Sequence, residues 1–183
     1  MGRNKALLPL AGRSLIEHVL VRLEGLGDEI LITTNLPQDY RFLGFRLVSD
    51  LVPGVGAIAG LHTSLAAARG RSVLVVACDM PFISRPLVEH LVGLAPQADV
   101  VIPRHGDKYE PLHAVYNRRN CLPPLENALA AGEKRLINFF PQVNVLHVEE
   151  SELTRLDPQG LSFFNINTPE DLAQAEIMLA EGK

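Results

Sequence analysis

Cysteine is scarce in this sequence: Cys78 and Cys121 are the only two in 183 residues. Neither falls in a metal-ligand spacing, and two cysteines make no disulfide framework. No pair of histidines has a zinc-site spacing either. Long apolar runs are missing. Met1-Gly2-Arg3-Asn4-Lys5 is polar and the apolar stretch after it is short, so neither a signal peptide nor a membrane span is read, and a cytoplasmic protein is expected. Positive charge is not in excess. A net charge of −4 argues against a mainly electrostatic nucleic-acid binder. The G-x-G-x-x-G fingerprint, the G-x-x-x-x-G-K-[ST] loop and the G-x-S-x-G elbow are all absent.

What is present is apolar and periodic. Hydrophobic residues make up 47% of the chain, enough for one globular domain with a sizeable core. The stretch Ser72-Val73-Leu74-Val75-Val76-Ala77 reads as a strand buried on both faces in the middle of a parallel sheet. It ends at Cys78-Asp79-Met80-Pro81-Phe82, with Cys78 expected in the core. Strands are also expected over residues 29–34, 46–48, 99–103, 112–116 and 143–148. Helices are expected over about 14–24, 57–68, 85–94, 118–131, 134–140 and 169–180, the last opened by Thr168, Pro169 and Asp171 as cap, first position and third. Residues 1–14 read mostly as loop. Alternating strands and helices predict an α/β fold with a doubly wound, mostly parallel sheet.

In such sheets ligands collect beyond the carboxyl ends of the strands. Asn35, Asp50, Asp79 and Asn165 fall at or near such ends. An Asp held there by a rigid strand could bind Mg²⁺ together with phosphate oxygens, since Mg²⁺ takes one or two carboxylates plus phosphates; the same residue also fits a loop cap. Lys5 is the chief candidate cation for a phosphate, although a solvated surface lysine fits it too. Gly54, Gly56 and Gly60 could let the backbone approach a ligand at a helix start. His18, His62 and His90 lie on expected helices and should be partly exposed; His113, near Glu110 and Pro111, could face the crevice.

Taken in order, Met1-Gly2-x-x-Lys5, Leu8-Pro9-Leu10-x-Gly12, Thr34-Asn35, Asp50 with Pro53-Gly54-x-Gly56-x-x-Ala59-Gly60, Cys78-Asp79-Met80-Pro81-Phe82, Glu110-Pro111-Leu112 with Tyr116, and Asn165-Ile166-Asn167-Thr168-Pro169-Glu170-Asp171-Leu172 span nearly the whole chain. This ordered set resembles the molybdenum cofactor guanylyltransferases, the MobA-like nucleotidyltransferases. The resemblance implies a Rossmann-like, nucleotide-diphospho-sugar transferase type of fold. It implies transfer of GMP from GTP to a molybdopterin-type cofactor, with pyrophosphate released and Mg²⁺ required. Molybdoenzymes or other cofactor-biosynthesis proteins are the partner class it allows. Carried over by position, Lys5 and Asp79 are catalytic. Lys5, Asn35, Asp50, Gly56 and Asp79 bind the nucleotide, Asp79 holds the metal, and Asn165 and Asn167 lie on the pterin side.

The resemblance also implies a strand and a loop of the form Leu-Ala-Gly-Gly-x-Ser-x-Arg ahead of Met1. A single domain over 1–183 is therefore expected to lack its first strand, leaving backbone groups and apolar surface uncovered. A cytidylyltransferase or other small-molecule nucleotidyltransferase of the same fold, or a non-catalytic nucleotide- or pterin-binding module, fits the same pattern.

Overall fold

The computed structural model describes residues 4–182; Met1, Gly2 and Arg3 of the opening motif lie outside them. A 3-10 turn, Lys5–Leu7, leads into a short antiparallel hairpin of β1 (Pro9–Leu10) and β2 (Arg13–Ser14). Helix α1 (Leu15–Leu23) follows, opened by Ser14, whose backbone N–H donates to the Glu17 carboxylate at 2.8 Å. That reciprocal cap holds the Glu17 carboxyl below its ordinary range. Strand β3 (Leu31–Thr33) pairs in parallel with β4 (Arg46–Val48), and between them runs a 3-10 segment, Pro37–Leu43. Helix α2 (Ala57–Ala67) precedes β5 (Ser72–Val76). Helix α3 (Arg85–Leu94), β6 (Val100–His105), β7 (Lys108–Tyr109), β8 (His113–Asn117) and helix α4 (Arg118–Ala130) come next. The chain closes with β9 (Val145–Val148), helix α5 (Glu150–Leu156) and helix α6 (Pro169–Ala180).

The main sheet has the order β5-β8-β6-β7, with β9 parallel to β6. It is mixed: β8 runs antiparallel to both β5 and β6. The strands buried on both faces are thus β6 and β8. Along them the side chains alternate between two helical layers, as a period of two requires. Val100, Ile102, Ala114 and Tyr116 pack with Ile58, Leu61 and Leu65 of α2 and Leu125 of α4. Val101 and Val115 pack on the other face with Leu87 and Leu91 of α3 and Leu153 of α5. Fully burying one such aliphatic side chain contributes roughly 1.5–3 kcal/mol.

Strand β5 corrects the sequence expectation. It ends the strand order, and its only strand partner among the described residues is β8. Val73, Leu74 and Val76 are accordingly half-buried. Strands β3 and β5 each have one edge without a strand partner among the described residues, while α2 touches both. The helix expected at 134–140 is replaced by turns and a 3-10 segment, Phe140–Gln142. Pro141 disfavours helix at the residue before it, and Leu136, Phe139 and Phe140 reach the core without one. Helix α5 was not expected: its seven residues carry one buried apolar side chain, Leu153, too little for a periodic signal.

Candidate active site

Three segments meet beyond the carboxyl end of β5. The first is the Lys5–Leu7 turn, anchored by Ala6, which packs with Ile16, Ile32 and Tyr40. The second is Cys78-Asp79. The third is the stretch from Phe163 to Asn167, tied to the second by a bond from the Ile166 N–H to the Asp79 carbonyl at 2.9 Å. Across this junction Lys5 Nζ donates to Asn167 Oδ1 at 2.9 Å. Lys5, Asp79 and Asn167 are therefore brought together from segments far apart in sequence.

The Asp79 carboxylate is half-buried and has no hydrogen-bond or ion-pair partner among the described residues. A loop-capping Asp would spend its oxygens on nearby N–H groups, so that reading is disfavoured. Next to it, Cys78 is exposed rather than in the core, which corrects the sequence expectation. Its thiol is nevertheless pushed up to about 11, first by desolvation and then by the Asp79 charge, with Lys5 opposing. At neutral pH it stays a thiol, so it offers no nucleophile.

A neighbouring group of polar residues follows β3 and β4. Asn35 and Asp50 follow the two strands and bond reciprocally: Asn35 Nδ2 donates to Asp50 Oδ2 at 2.8 Å, and the Asp50 N–H donates to Asn35 Oδ1 at 2.9 Å. The pair clamps two parallel strand ends together and leaves the other Asp50 oxygen open to a ligand. Tyr40 connects this group to the lysine turn, its hydroxyl donating to Asn4 Oδ1 at 2.7 Å. Burial holds the Tyr40 hydroxyl above its ordinary range. Gly56 caps α2 with φ 83° and ψ −153°, a conformation nearly restricted to glycine. A Cβ built there would meet no atom within 4 Å, so the space beside it is open. Asn165 is placed differently: Asn165 Nδ2 donates to the carbonyl of Phe163 at 3.2 Å, a local turn contact.

Two histidine expectations are corrected. His113 is fully buried and so is not open to a crevice; it packs edge-on to Phe163. Burial pulls its pKa down to about 4, so the ring is neutral, and neither ring nitrogen has a partner among the described residues. His62 is also buried, 3.5 Å from Glu126. A cavity of about 460 Å³ lined by Arg71, Asn117, Arg119 and Asn120 lies at the start of β5 and the end of β8, away from Asp79. Convergent chemistry, rather than the size of a concavity, marks the candidate site.

The sequence model for the "MobA-like NTP transferase domain" matches residues 1–146. This chain belongs to the MobA-like NTP transferase family. A relative from Pelotomaculum thermopropionicum, named a probable molybdenum cofactor guanylyltransferase, is 38% identical over 97% of this chain and 86% of its own length. The molybdenum cofactor guanylyltransferase of Desulfosudis oleivorans is 34% identical over 100% of this chain and 90% of its own. Among solved structures, the molybdopterin-guanine dinucleotide biosynthesis protein A of Archaeoglobus fulgidus superposes with a TM-score of 0.83 at 33% identity, covering 98% of this chain and 92% of that one. A cytidylyltransferase from Thermus thermophilus shares the fold at a TM-score of 0.74 and 22% identity, covering 96% and 94%. The fold is thus the nucleotide-diphospho-sugar transferase type.

Within the MobA-like frame, sequence reasoning missed Tyr40, Asn4 and Asp171 as neighbours that brace the candidate residues. Asn4 stands inside the Met1-Gly2-x-x-Lys5 motif at an unspecified position, and Tyr40 lies in a segment with no periodicity. Asp171 was read as a helix cap only.

Proposed function

We propose that this chain transfers GMP from GTP to a molybdopterin-type molybdenum cofactor and releases pyrophosphate. The observation that carries the reading is the junction of Lys5, Asp79 and Asn167, held by the Lys5–Asn167 and Ile166–Asp79 bonds in a chain similar over its full length to proteins named for that activity. A terminal phosphate oxygen of the acceptor attacks the α-phosphorus of GTP, and the bond to the β-phosphate oxygen breaks. The nucleophile is already anionic, so no general base is required, and none of the buried histidines is placed to act as one. Positioning and charge neutralisation then supply the rate. Lys5 offsets charge gathering on the leaving pyrophosphate. Asn35, Asp50 and the Gly56 turn hold the nucleoside end, and Asn165 and Asn167 border the acceptor.

The residues fit Mg²⁺ as a phosphate-bridging ion. Asp79 supplies one free carboxylate, and no cluster of three or more metal-ligating side chains exists among the described residues. That donor set suits an ion completed by triphosphate oxygens and water rather than a protein cage. Bound there, Mg²⁺ would supply Lewis acidity and a template for the phosphates. Free thiols and the lack, among the described residues, of a helix long and apolar enough to cross a membrane support placing the protein in the cytoplasm, where its product would pass to molybdoenzymes.

The test is a competition between MgGTP and MgCTP with a molybdopterin-type acceptor, read as dinucleotide product. A guanine dinucleotide in large excess is expected; a cytosine dinucleotide as the main product, or neither, would refute the assignment.

A further inference from the structure

Lys5 and Asn167 lie 162 residues apart, yet their side chains are in hydrogen-bond contact. A lysine ammonium has three donors and no acceptor, so Asn167 must present its amide oxygen. One ammonium hydrogen is thereby used and two remain. No carboxylate lies within ion-pair distance of Lys5 among the described residues, and the Asp171 carboxylate interacts with its charge only weakly, from further away. What holds Asn167 is Asp171. Its Oδ2 accepts from the Asn167 N–H and from the Thr168 N–H, both at 2.8 Å, while its own N–H donates to Thr168 Oγ1 at 3.1 Å. The Asp171 carboxyl sits below its ordinary range, mainly through those two backbone bonds and more weakly through the Lys5 charge.

We propose that Asp171 is a positioning residue: through the Asn167 backbone it fixes the amide that presents the Lys5 ammonium to the triphosphate, so that the cap of α6 also sets the phosphate-binding cation. The same amide keeps its nitrogen unbonded among the described residues, so Asn167 joins the triphosphate side to the acceptor side rather than serving the acceptor alone. What Lys5 acts on rests on the nucleotidyl-transfer reading; the relay itself does not.

A purely structural alternative is that Asp171 only caps α6. Thr168 separates the two by degree: its hydroxyl accepts from the Asp171 N–H at the cap and touches the Asp171 carboxylate, but makes no bond to Asn167. The experiment compares wild type with Asp171→Asn, Asp171→Glu and Thr168→Ala. One readout is KM for MgGTP and kcat by pyrophosphate release. The other is the rate at which an amine-reactive reagent labels Lys5, followed by peptide mass spectrometry. Asp171→Asn is expected to lower kcat about five- to tenfold with KM for MgGTP little changed, as loss of a charge-assisted contact to the Asn167 segment loosens the lysine that faces the leaving group. It should also label Lys5 severalfold faster. Asp171→Glu, the commoner capping-box partner, should restore both values. Thr168→Ala should lower Tm and move both far less than Asp171→Asn does. The relay is refuted if Thr168→Ala shifts labelling and kcat as far as Asp171→Asn does, or if Asp171→Asn shifts neither. If wild type releases no pyrophosphate from GTP, the functional reading fails, and Lys5 labelling still decides the relay.

Discussion

Replacing Lys5 by Met keeps the stem and removes the charge. In the folded protein the loss is small. The Lys5–Asn167 bond is solvent-exposed, and an exposed polar contact contributes under about 1 kcal/mol. Ala6, not Lys5, anchors the turn in the core. For a chain of this length that corresponds to a Tm change of at most about 4 °C. The catalytic loss is larger. Two ammonium hydrogens are free for phosphate oxygens, and removing one such preorganised stabiliser commonly costs 10²–10³ in kcat, about 2.7–4 kcal/mol. Lys5→Met should therefore fold like wild type in thermal melts and release pyrophosphate on the order of 10²–10³ more slowly from saturating MgGTP and acceptor. Lys5→Arg should recover only part of the rate, since a rigid fork does not reproduce a compact rotatable charge. Turnover within about threefold of wild type for Lys5→Met would refute the placement of this lysine on the leaving group.

Two further predictions concern the frame around the site. His113 has its folded pKa pulled down to about 4 against an unfolded value near 6.5, so the unfolded state binds more protons between those values. Stability should be fully present above about pH 6.5 and fall as pH drops towards 4, by on the order of 3 kcal/mol. His113→Leu should remove that slope in urea titrations across the window, and an unchanged slope would contradict the buried neutral ring. Gly56→Ala meets open space but must adopt a conformation that L residues avoid, so a loss of about 1–3 kcal/mol is expected, with a raised KM for MgGTP. A variant as stable as wild type would show that the α2 cap is not held as described.

Much of this was legible in the sequence, for definite reasons. Helix α6 announces itself through Thr168, Pro169 and Asp171, and α3 through Ser84 and Pro86, because caps are local chemistry. The α/β alternation was readable from apolar runs. Strand direction was not. The valines of β5 looked like the centre of a parallel sheet, whereas the strands buried on both faces are β6 and β8, and β8 runs the other way. An apolar run reports burial without reporting the neighbour's direction. The strand-end rule anticipated that Asp79, Asn35 and Asp50 would follow strand ends, as they do, since it depends on where strands stop rather than on their order. It could not show that Asn167 holds Lys5 or that Asn165 bonds to its own turn, because both depend on side-chain directions across segments joined only in the folded chain. Cys78 misled for a similar reason: it ends an apolar run, yet sits where that run leaves the core.

Asp79 offers the most direct measurement. Pyrophosphate release from MgGTP and a molybdopterin-type acceptor is followed for wild type and Asp79→Asn over a Mg²⁺ titration. The substitution keeps the shape and the Ile166 bond to the Asp79 backbone while removing the charge. The expected result is a fall of on the order of 10²–10³ in rate with a Tm close to wild type, and a higher Mg²⁺ requirement in whatever activity is left. Wild-type turnover with an unchanged Mg²⁺ dependence would contradict the assignment of this carboxylate to the metal-triphosphate complex.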